Sequence, residues 1–545
     1  MVVDFTGITV AVANIYVGKN SGDRGKLFEG DDYTVTGGSQ ITLTNSFSAG
    51  TKLIAASSEL VARDVTSDDF IFDNVASYKA YDTAFPVGKR IYLSDRDAYF
   101  TVISGTGTSN GDGIIASNKV SQSISIVDIN DIDGQGLSSS DETTLLQRQL
   151  DNVSATDVIS KRVTQAGELI VGGNNEISIG EIQSTTADRS TFNVLDSIVT
   201  NEVFGVIVRD TKFSGATGVD DNFAYISTFN AINPLIENIF ADGGRTAVRV
   251  GYQPLGVQTT DAFLTNLNAK GCESFGVEFI ESDRTLANNL NIGNDGVQIG
   301  SHALRFTGTD TGVTGNVVYG FSARDRLTTG LSIQLGASHN IHGLGIIENV
   351  GESGVQANTA SVIDAKSMIP HVIIKDPASD GLNLSNLSHM FFDSIVDNPA
   401  QKGLRIGGGV LPSDEGVNMG RVLVVNPANG GATIASDHNM TDIIVDNSSV
   451  SGAIVISGNE NMVRIISKLS ATLTVYITGN KNSVTMIEDG TGAVGLRVDG
   501  DQNVVDGIVT SQTSINGDNN YINALTIGGV TDSGAGNTKP TRQAL

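Results

Sequence analysis

The sequence predicts a mainly β protein whose body is a parallel β-helix, a three-sided solenoid, preceded by small β-rich domains. A repeated turn, a repeated strand and the composition predict it. The turn is clearest near the C-terminus, where Gly458-Asn459-Glu460-Asn461, Gly479-Asn480-Lys481-Asn482, Gly500-Asp501-Gln502-Asn503 and Gly517-Asp518-Asn519-Asn520 are copies of one pattern. Two residues after each copy stands Val463, Val484, Val505 or Ile522, and Ser436-Asp437-His438-Asn439 is an earlier, degenerate copy. The steps from 436 are 22, 21, 21 and 17 residues. A period near 21, with strand-like triplets such as Ile454-Val455-Ile456 between the turns, marks a solenoid.

Upstream, the strand is the more regular signal. Apolar-x-apolar triplets, mostly after Gly, recur as Val277-Glu278-Phe279, Leu304-Arg305-Phe306, Leu331-Ser332-Ile333, Val355-Gln356-Ala357, Leu382-Asn383-Leu384 and Leu404-Arg405-Ile406, at steps of 27, 27, 24, 27 and 22 residues. Such steps suit one turn of a three-sided helix with short loops, the outer residues of each triplet pointing in and the middle one out. Leucine-rich repeats have a similar period but need a Leu-rich consensus that is missing here, and sandwiches do not hold a fixed period over five units. The predicted shaft runs from about residue 155 to 525, roughly fifteen rungs and about 70 Å at ~4.8 Å per rung.

The last Asn of each turn is expected to face inward, because Asn tolerates left-handed backbone and its amide can bond the Asn of the rungs above and below. A calcium site would need an acidic nonapeptide with repeated Gly-Gly-x-Gly, which is absent, so no metal is expected there.

Composition narrows the partners. Of 545 residues, 63 are Gly and only 9 Pro, so turns are built from Gly and polar residues, while 39 % hydrophobic residues exclude a disordered chain. The formal charge of −26 excludes a phosphate backbone as partner. No apolar run approaches the ~18 residues of a membrane span and no basic region precedes one, so the chain reads as soluble, without a Sec signal and without membrane insertion. The single Cys272 reads as a buried structural thiol.

Ahead of the shaft, residues 1–65 alternate around Gly37-Gly38, with Tyr33-Thr34-Val35, Ile41-Thr42-Leu43 and Lys52-Leu53-Ile54 as strands of a small hairpin sandwich. Residues 66–135 read as a small α/β neck domain, with a short helix in Phe72 to Ala80 and strands at Val87 to Tyr92 and Tyr99 to Val102. Ser139-Ser140-Asp141-Glu142 matches a capping box and opens a helix over about 139–153 carrying Leu146, Leu150 and Val153. That helix is placed to cover the open first rung of the shaft, 136–525. Residues 526–545 read as a C-terminal tail.

This order of parts resembles a tail fibre or tailspike of a tailed bacteriophage. Gly30-Asp31-Asp32-Tyr33-Thr34-Val35 to Gly50-Thr51-Lys52-Leu53 resembles the virion-docking module of podophage-type fibres, and Phe72 to Ala80 followed by Val87-Gly88 resembles the small domain before the shaft. Ser140-Asp141-Glu142-Thr143-Thr144-Leu145-Leu146-Gln147 is similar to the helix that opens a pectate-lyase-like β-helix. The resemblance implies a right-handed β-helix, a homotrimer, and a virion location after synthesis in the host cytoplasm. It also implies docking to tail adaptor or nozzle proteins through residues 1–65, and a host surface glycan or receptor as target.

Two functions follow, an adhesin that binds without cleavage and a glycan depolymerase. Depolymerases of this family place carboxylates on an exposed helix face. The outward column Glu278, Arg305, Ser332, Gln356, Asn383, Arg405 and its neighbouring loops make Glu278, Asp283 and Asp325 the candidate acid and base, with Arg305, Tyr252 and Tyr319 as candidate glycan contacts. Glu278 and Arg305 on adjacent rungs read first as an ion pair on a solvated sheet face. The absence of Trp leaves few stacking platforms and favours the adhesin. His339-Asn340-Ile341-His342 lacks an acidic or Cys partner, and no Walker loop, nucleophile elbow or catalytic-Cys pattern is present, so no cofactor is expected.

Overall fold

The computed structural model describes residues 2–4, 14–18, 24–27, 33–37, 40–44, 52–56, 70–81, 84–94, 98–104, 114–116, 122–126, 139–150, 157–165, 169–171, 176–184, 192–194, 203–215, 224–251, 258–293, 296, 298–308, 313–334, 337–357, 363–364, 366–385, 387–407, 417–446, 452–468, 473–489 and 494–539. The chain divides into two compact units, Met1–Leu145 and Leu146–Leu545.

In the first unit, Tyr33–Gly37 and Gln40–Leu43 form the hairpin expected around Gly37, with Val2–Asp4 on the other side of Gln40–Leu43. A second three-stranded antiparallel sheet joins Arg24–Leu27, Asn14–Gly18 and Lys52–Ala56. A five-stranded sheet then orders Ile114–Ala116, Gln122–Ile126, Ala98–Ser104, Arg90–Leu93 and Phe70–Phe72. The short helix begins later than expected, at Val75, because Phe70–Phe72 is spent as a strand and Asn74 caps the helix by accepting from the Ser77 amide at 2.8 Å. Phe70, Phe72, Tyr78, Tyr81 and Phe85 pack around it ring to ring, with centroids 4.7–6.4 Å apart.

The second unit is a parallel β-helix. Its first sheet has seventeen parallel strands, from Asp157–Gln165 to Tyr521–Thr526, of which Ile341–Gly343 and Ile346–Val350 share one rung. The second sheet has sixteen, from Leu169–Ile170 to Val530–Asp532, and a third, short-stranded sheet runs from Val203–Phe204 to Ala337–Ser338. The strands thus continue past residue 525 to Asp532, and Thr538 bridges Tyr521. Shortening the last turns to 17 residues leaves enough chain for one more rung than the Gly-Asn copies mark.

Stacking explains the repeat residues. A Cβ on Gly479, Gly500 or Gly517 would stand 1.9–2.1 Å from the carbonyl oxygen of Gly458, Gly479 or Gly500 one rung earlier, so this column admits no side chain. The final Asn of each turn is buried and forms a ladder: Asn418, Asn439, Asn461, Asn482 and Asn503 each donate a side-chain amide to the Oδ1 of the next, at 2.9–3.2 Å. Their backbone amides bond the same oxygens at 2.8–3.2 Å. The left-handed residue is the one before the ladder Asn, against expectation: Glu460, Lys481, Gln502 and Asn519 have φ of 56° to 59°. Its side chain is exposed, while the inward Asn is not left-handed. The other turn Asn or Asp forms a second ladder, in which Asn459, Asn480 and Asp501 accept from the next rung's amide at 2.6–2.8 Å.

The helix Ser139–Leu150 precedes the first rung. Gln147 Nε2 donates to the Ile170 carbonyl at 2.9 Å and the Ile170 amide donates to Gln147 Oε1 at 2.7 Å, so a side-chain amide completes the hydrogen bonds of a strand edge. The capping-box side chains of Ser139 and Ser140, and Val153, lie outside the described residues.

The first sheet changes character along its length. From Ile207–Ser214 to Met368–Lys375 each rung of this sheet bends at a left-handed residue, namely Asp210, Asn238, Asn266, Asn289, Gly320, Leu344 and His371. Asn238, Asn266 and Asn289 donate their amides down this bend to the preceding rung at 2.7–2.9 Å. At the next rung the register slips between Pro370 and Val372, and Phe391–Asp397 runs straight without the extra residue.

Candidate functional site

The middle residues of the second-sheet strands form the expected ladder. Arg249, Glu278, Arg305, Ser332, Gln356, Asn383, Arg405 and Thr433 are register partners in succession. Val455, Tyr476, Arg497 and Ser514 continue it. A triplet puts its outer residues into the core, as the fully buried Leu304 and Phe306 show, and directs the middle one away from it.

Facing away from the core does not make these residues accessible. Glu278 is 2 % exposed and lies between two guanidiniums, with Arg249 Nε at 2.8 Å from Oε2 and Arg305 Nη1 at 3.0 Å from Oε1. Arg305 spends its Nε and Nη2 on Gln334 Oε1, at 3.1 and 3.0 Å, and its guanidinium stands 4.9 Å from the Phe275 ring centre. The Glu278–Arg305 pair of the sequence reading is therefore an ion pair, but a buried one with a second arginine. Its missing member, Arg249, stands in the triplet Val248-Arg249-Val250, one strand above the first triplet taken into the repeat.

The three candidate carboxylates are not brought together. Glu278 belongs to the second sheet, Asp283 to the third, and Asp325 to the end of a first-sheet strand. Asp283 accepts from Thr314 Oγ1 at 2.8 Å and meets Arg284 Nη1 at 2.5 Å. Asp325, in left-handed backbone, accepts from Asn349 Nδ2 at 2.6 Å and the Gly296 amide at 3.0 Å. None shares a partner with another in these bonds. Tyr319 is exposed on the first sheet, and Tyr252 lies outside the described residues.

Buried polar groups cluster beside Asp325. Arg326 is fully buried and donates to the carbonyls of Cys272 (3.2 Å), Ser274 (2.5 Å) and His302 (3.0 Å), and burial pulls its guanidinium down to about 10. Burial pushes the Cys272 thiol up to about 11 and the His302 imidazole down to about 4, the latter helped by Arg305 and Arg326. His339 and His342 lie apart in environment: His339 is exposed in left-handed backbone, and His342 occupies an inward column between Val318 and Ile369. Among the described residues no three His, Cys, Asp or Glu converge on a point.

Further along, the second-sheet ladder is half-exposed and polar. Gln356, Asn383, Arg405 and Thr433 lead to a cluster in which Tyr476 donates to Asp499 Oδ2 at 2.6 Å and Arg497 lies 4.9 Å from the Tyr476 ring centre while pairing with Asp499 at 2.8 Å. Sequence reasoning did not select Tyr476 as a candidate contact. Its place in the triplet Val475-Tyr476-Ile477, with Arg497 in the corresponding place one rung on, is the signal for this cluster. Such a row supplies donors, acceptors and one aromatic face at rung spacing, the elements of a hydrogen-bonding groove for a polar chain.

The first sheet carries a concavity of about 620 Å³ where its bend disappears, lined by Leu344, Ile346, Ile373, Ile395, Leu423 and Ile444 among others. At its rim Asp393 is held by His371 Nδ1 at 3.1 Å and Arg421 Nε at 3.0 Å.

No protein-family model matches the sequence, and no curated protein matches it. Solved structures similar in fold include full-length tailspike protein 2 from Escherichia coli O157:H7 bacteriophage CAB120, with 10 % identity and a TM-score of 0.39 over 76 % of this chain and 51 % of that one. The chain thus spans about half the length of that tailspike. The catalytic domain of GH87 alpha-1,3-glucanase in complex with nigerose matches with 13 % identity and a TM-score of 0.42 over 87 % of both chains.

Proposed function

We propose that the chain is a virion-borne attachment protein of a tailed bacteriophage, in which residues 1–65 dock to tail adaptor or nozzle proteins and the β-helix binds a host surface glycan or receptor. The mostly polar second-sheet ladder from Gln356 to Ser514, interrupted at Val455, carries this reading. It repeats hydrogen-bonding side chains at about the 4.8 Å spacing of the rungs, close to the dimension of a sugar ring. Several weak contacts along one row, multiplied over three copies of a homotrimer, raise avidity without deep pockets. The sequence resemblance supports the virion location, and the carboxylates Glu278, Asp283 and Asp325 are held by separate partners on separate sheets, which favours binding over hydrolysis by this set.

The test is adsorption and product release together. The full chain is expected to bind intact host bacteria and their capsule or lipopolysaccharide without releasing reducing ends or unsaturated uronates. A form lacking residues 1–65 should still bind cells but no longer join particles. Release of sugar products that stops in the Asp283→Asn, Asp325→Asn variant, at unchanged thermal stability, would establish the depolymerase instead.

A further inference from the structure

Below the last bend the first sheet presents an apolar outer face. Two outward columns run down its seven straight rungs: Phe391, Met419, Met440, Met462, Ser483, Val504, Tyr521, and, four residues on in each strand, Ile395, Leu423, Ile444, Ile466, Ile487, Ile508, Leu525. Phe391, Met440, Met462, Ile487 and Tyr521 are each more than 40 % exposed, so the face is open among the described residues. Four of the chain's seven methionines, Met368, Met419, Met440 and Met462, stand in the first column and its extension, with Phe391 between the first two. The upstream rungs carry Lys212, Phe240, Asn268, Asn291 and Ser322 where the second column carries Ile and Leu, whereas the first column is apolar there too, from Ile207 through Leu235, Phe263, Leu286, Val317 and Ile341 to Met368. The second column turns from polar to apolar at Ile346 and the bend is lost between His371 and Phe391, so both columns are apolar and straight only from the concavity onward.

We infer that this straight apolar face is where a second copy of the same chain docks. Seven rungs cover about 30 Å, and two columns four residues apart cover about 15–20 Å with their side chains, an area on the order of 500–600 Å² before the concavity is added. That is the upper end of what a monomer leaves exposed, about 300–600 Å², and near the ~800 Å² per partner of a standard interface. The occupant must be straight, apolar and periodic at the rung spacing over this length, and another copy of the face has those properties. The column between the two stripes does not forbid it. Asp393 pairs with Arg421 at 3.0 Å and Asp442 with Arg464 at 3.8 Å, and further down Thr485 precedes Asp506, which accepts from Asn523 Nδ2 at 2.8 Å, so most of this column's polar groups are engaged within their own chain. Flexible methionines adapt to a partner surface without exact shape matching.

The inference rests on the multimeric part of the reading above and locates it. Light scattering of the full chain at micromolar concentration should give a multiple of 56.9 kDa. The Met440→Glu, Met462→Glu, Ile487→Glu variant should fall to one chain, with its far-UV spectrum unchanged. A folded variant that stays multimeric overturns the face alone, and a wild-type monomer overturns both the face and the multimer. Should the triple variant not fold, Met462→Cys provides the decision, since the chain's other cysteine, Cys272, is buried. A short bismaleimide should link chains through Cys at 462 and not through a Thr433→Cys control on the second sheet. Equal linking at both sites, or none at 462, rejects the face.

Discussion

At the scale of single residues, the candidate site and the core pull the same residue types in opposite directions. Glu278 has the chemistry of a catalytic acid and the surroundings of a structural post, because two guanidiniums and near-complete burial leave it no open approach. Removing one partner of such a buried pair strands the others, a loss of about 3–5 kcal/mol, so substitutions there report on folding before they report on sugar. His342 is the converse, a polar ring where an aliphatic residue would serve. It meets the Phe306 ring edge-on at 4.3 Å, neither ring nitrogen has a hydrogen-bond partner among the described residues, and burial holds its imidazole down to about 3. The folded form therefore keeps His342 neutral where the unfolded chain, near 6.5, binds a proton. Stability is flat above about pH 6.5 and falls as the pH drops towards 3, by about 2 kcal/mol at pH 5 for this one group. His302, pulled down to about 4, adds to the loss in the same window. Urea unfolding at pH 7.5 and pH 5 should show a smaller drop for His342→Leu than for the wild type. An identical drop in both would refute the account.

At the scale of the element, the rung is legible in the sequence because its constraints are steric and repeat. Gly479 is Gly since the Gly458 carbonyl occupies the place of a Cβ, and Asn482 is Asn since it must bond the rungs on both sides. Each such requirement leaves its mark at a fixed spacing, so strand register and the inward or outward sense of every triplet could be read in advance. The position of the left-handed residue could not, because Glu460, Lys481 and Gln502 share no residue type that announces it. The site was less legible for a different reason. Outwardness follows from alternation, but burial of Arg249, Glu278 and Ser332 depends on what else folds over that face, and Gln334 joins Arg305 through a loop position with no periodic signature. The ladder makes a quantitative expectation. Asn482→Leu leaves the Asn461 backbone amide and side-chain amide without their shared acceptor, a loss of about 1–3 kcal/mol for each buried group left unpaired. Gly479→Ala forces a backbone shift in two rungs at once. Both variants should lower the denaturation midpoint markedly, whereas Lys481→Gly, which relieves left-handed backbone at an exposed position, should hold or raise it. Equal effects from all three substitutions would remove the stacking argument.

At the scale of the whole molecule, the second unit is a one-dimensional stack in which the described strands pair with those of adjacent rungs, so its ends decide its solubility. Among the described residues the internal strands of the two long sheets pair with adjacent rungs on both sides, while the first rung presents one free side to any strand that approaches. The chain meets that hazard with the helix Ser139–Leu150, whose Gln147 holds both the amide and the carbonyl of Ile170. Leu146 and Leu150 from the same helix are buried, so the helix contributes apolar cover as well as hydrogen bonds. Two truncations separate this role from that of the upstream domains. A chain starting at residue 139 keeps the helix and should fold to a soluble shaft, with far-UV spectrum and thermal midpoint close to those of the same residues in the full chain. A chain starting at residue 157 keeps every strand of the stack but exposes its first edge. It should associate end to end or precipitate within hours at concentrations where the longer form stays dispersed. The single substitution Gln147→Leu in the full chain should move part of the way, since it removes both bonds to Ile170 while keeping apolar cover. If the chain starting at 157 is as soluble and as heat-resistant as the one starting at 139, the helix is a linker and the first rung needs no cap.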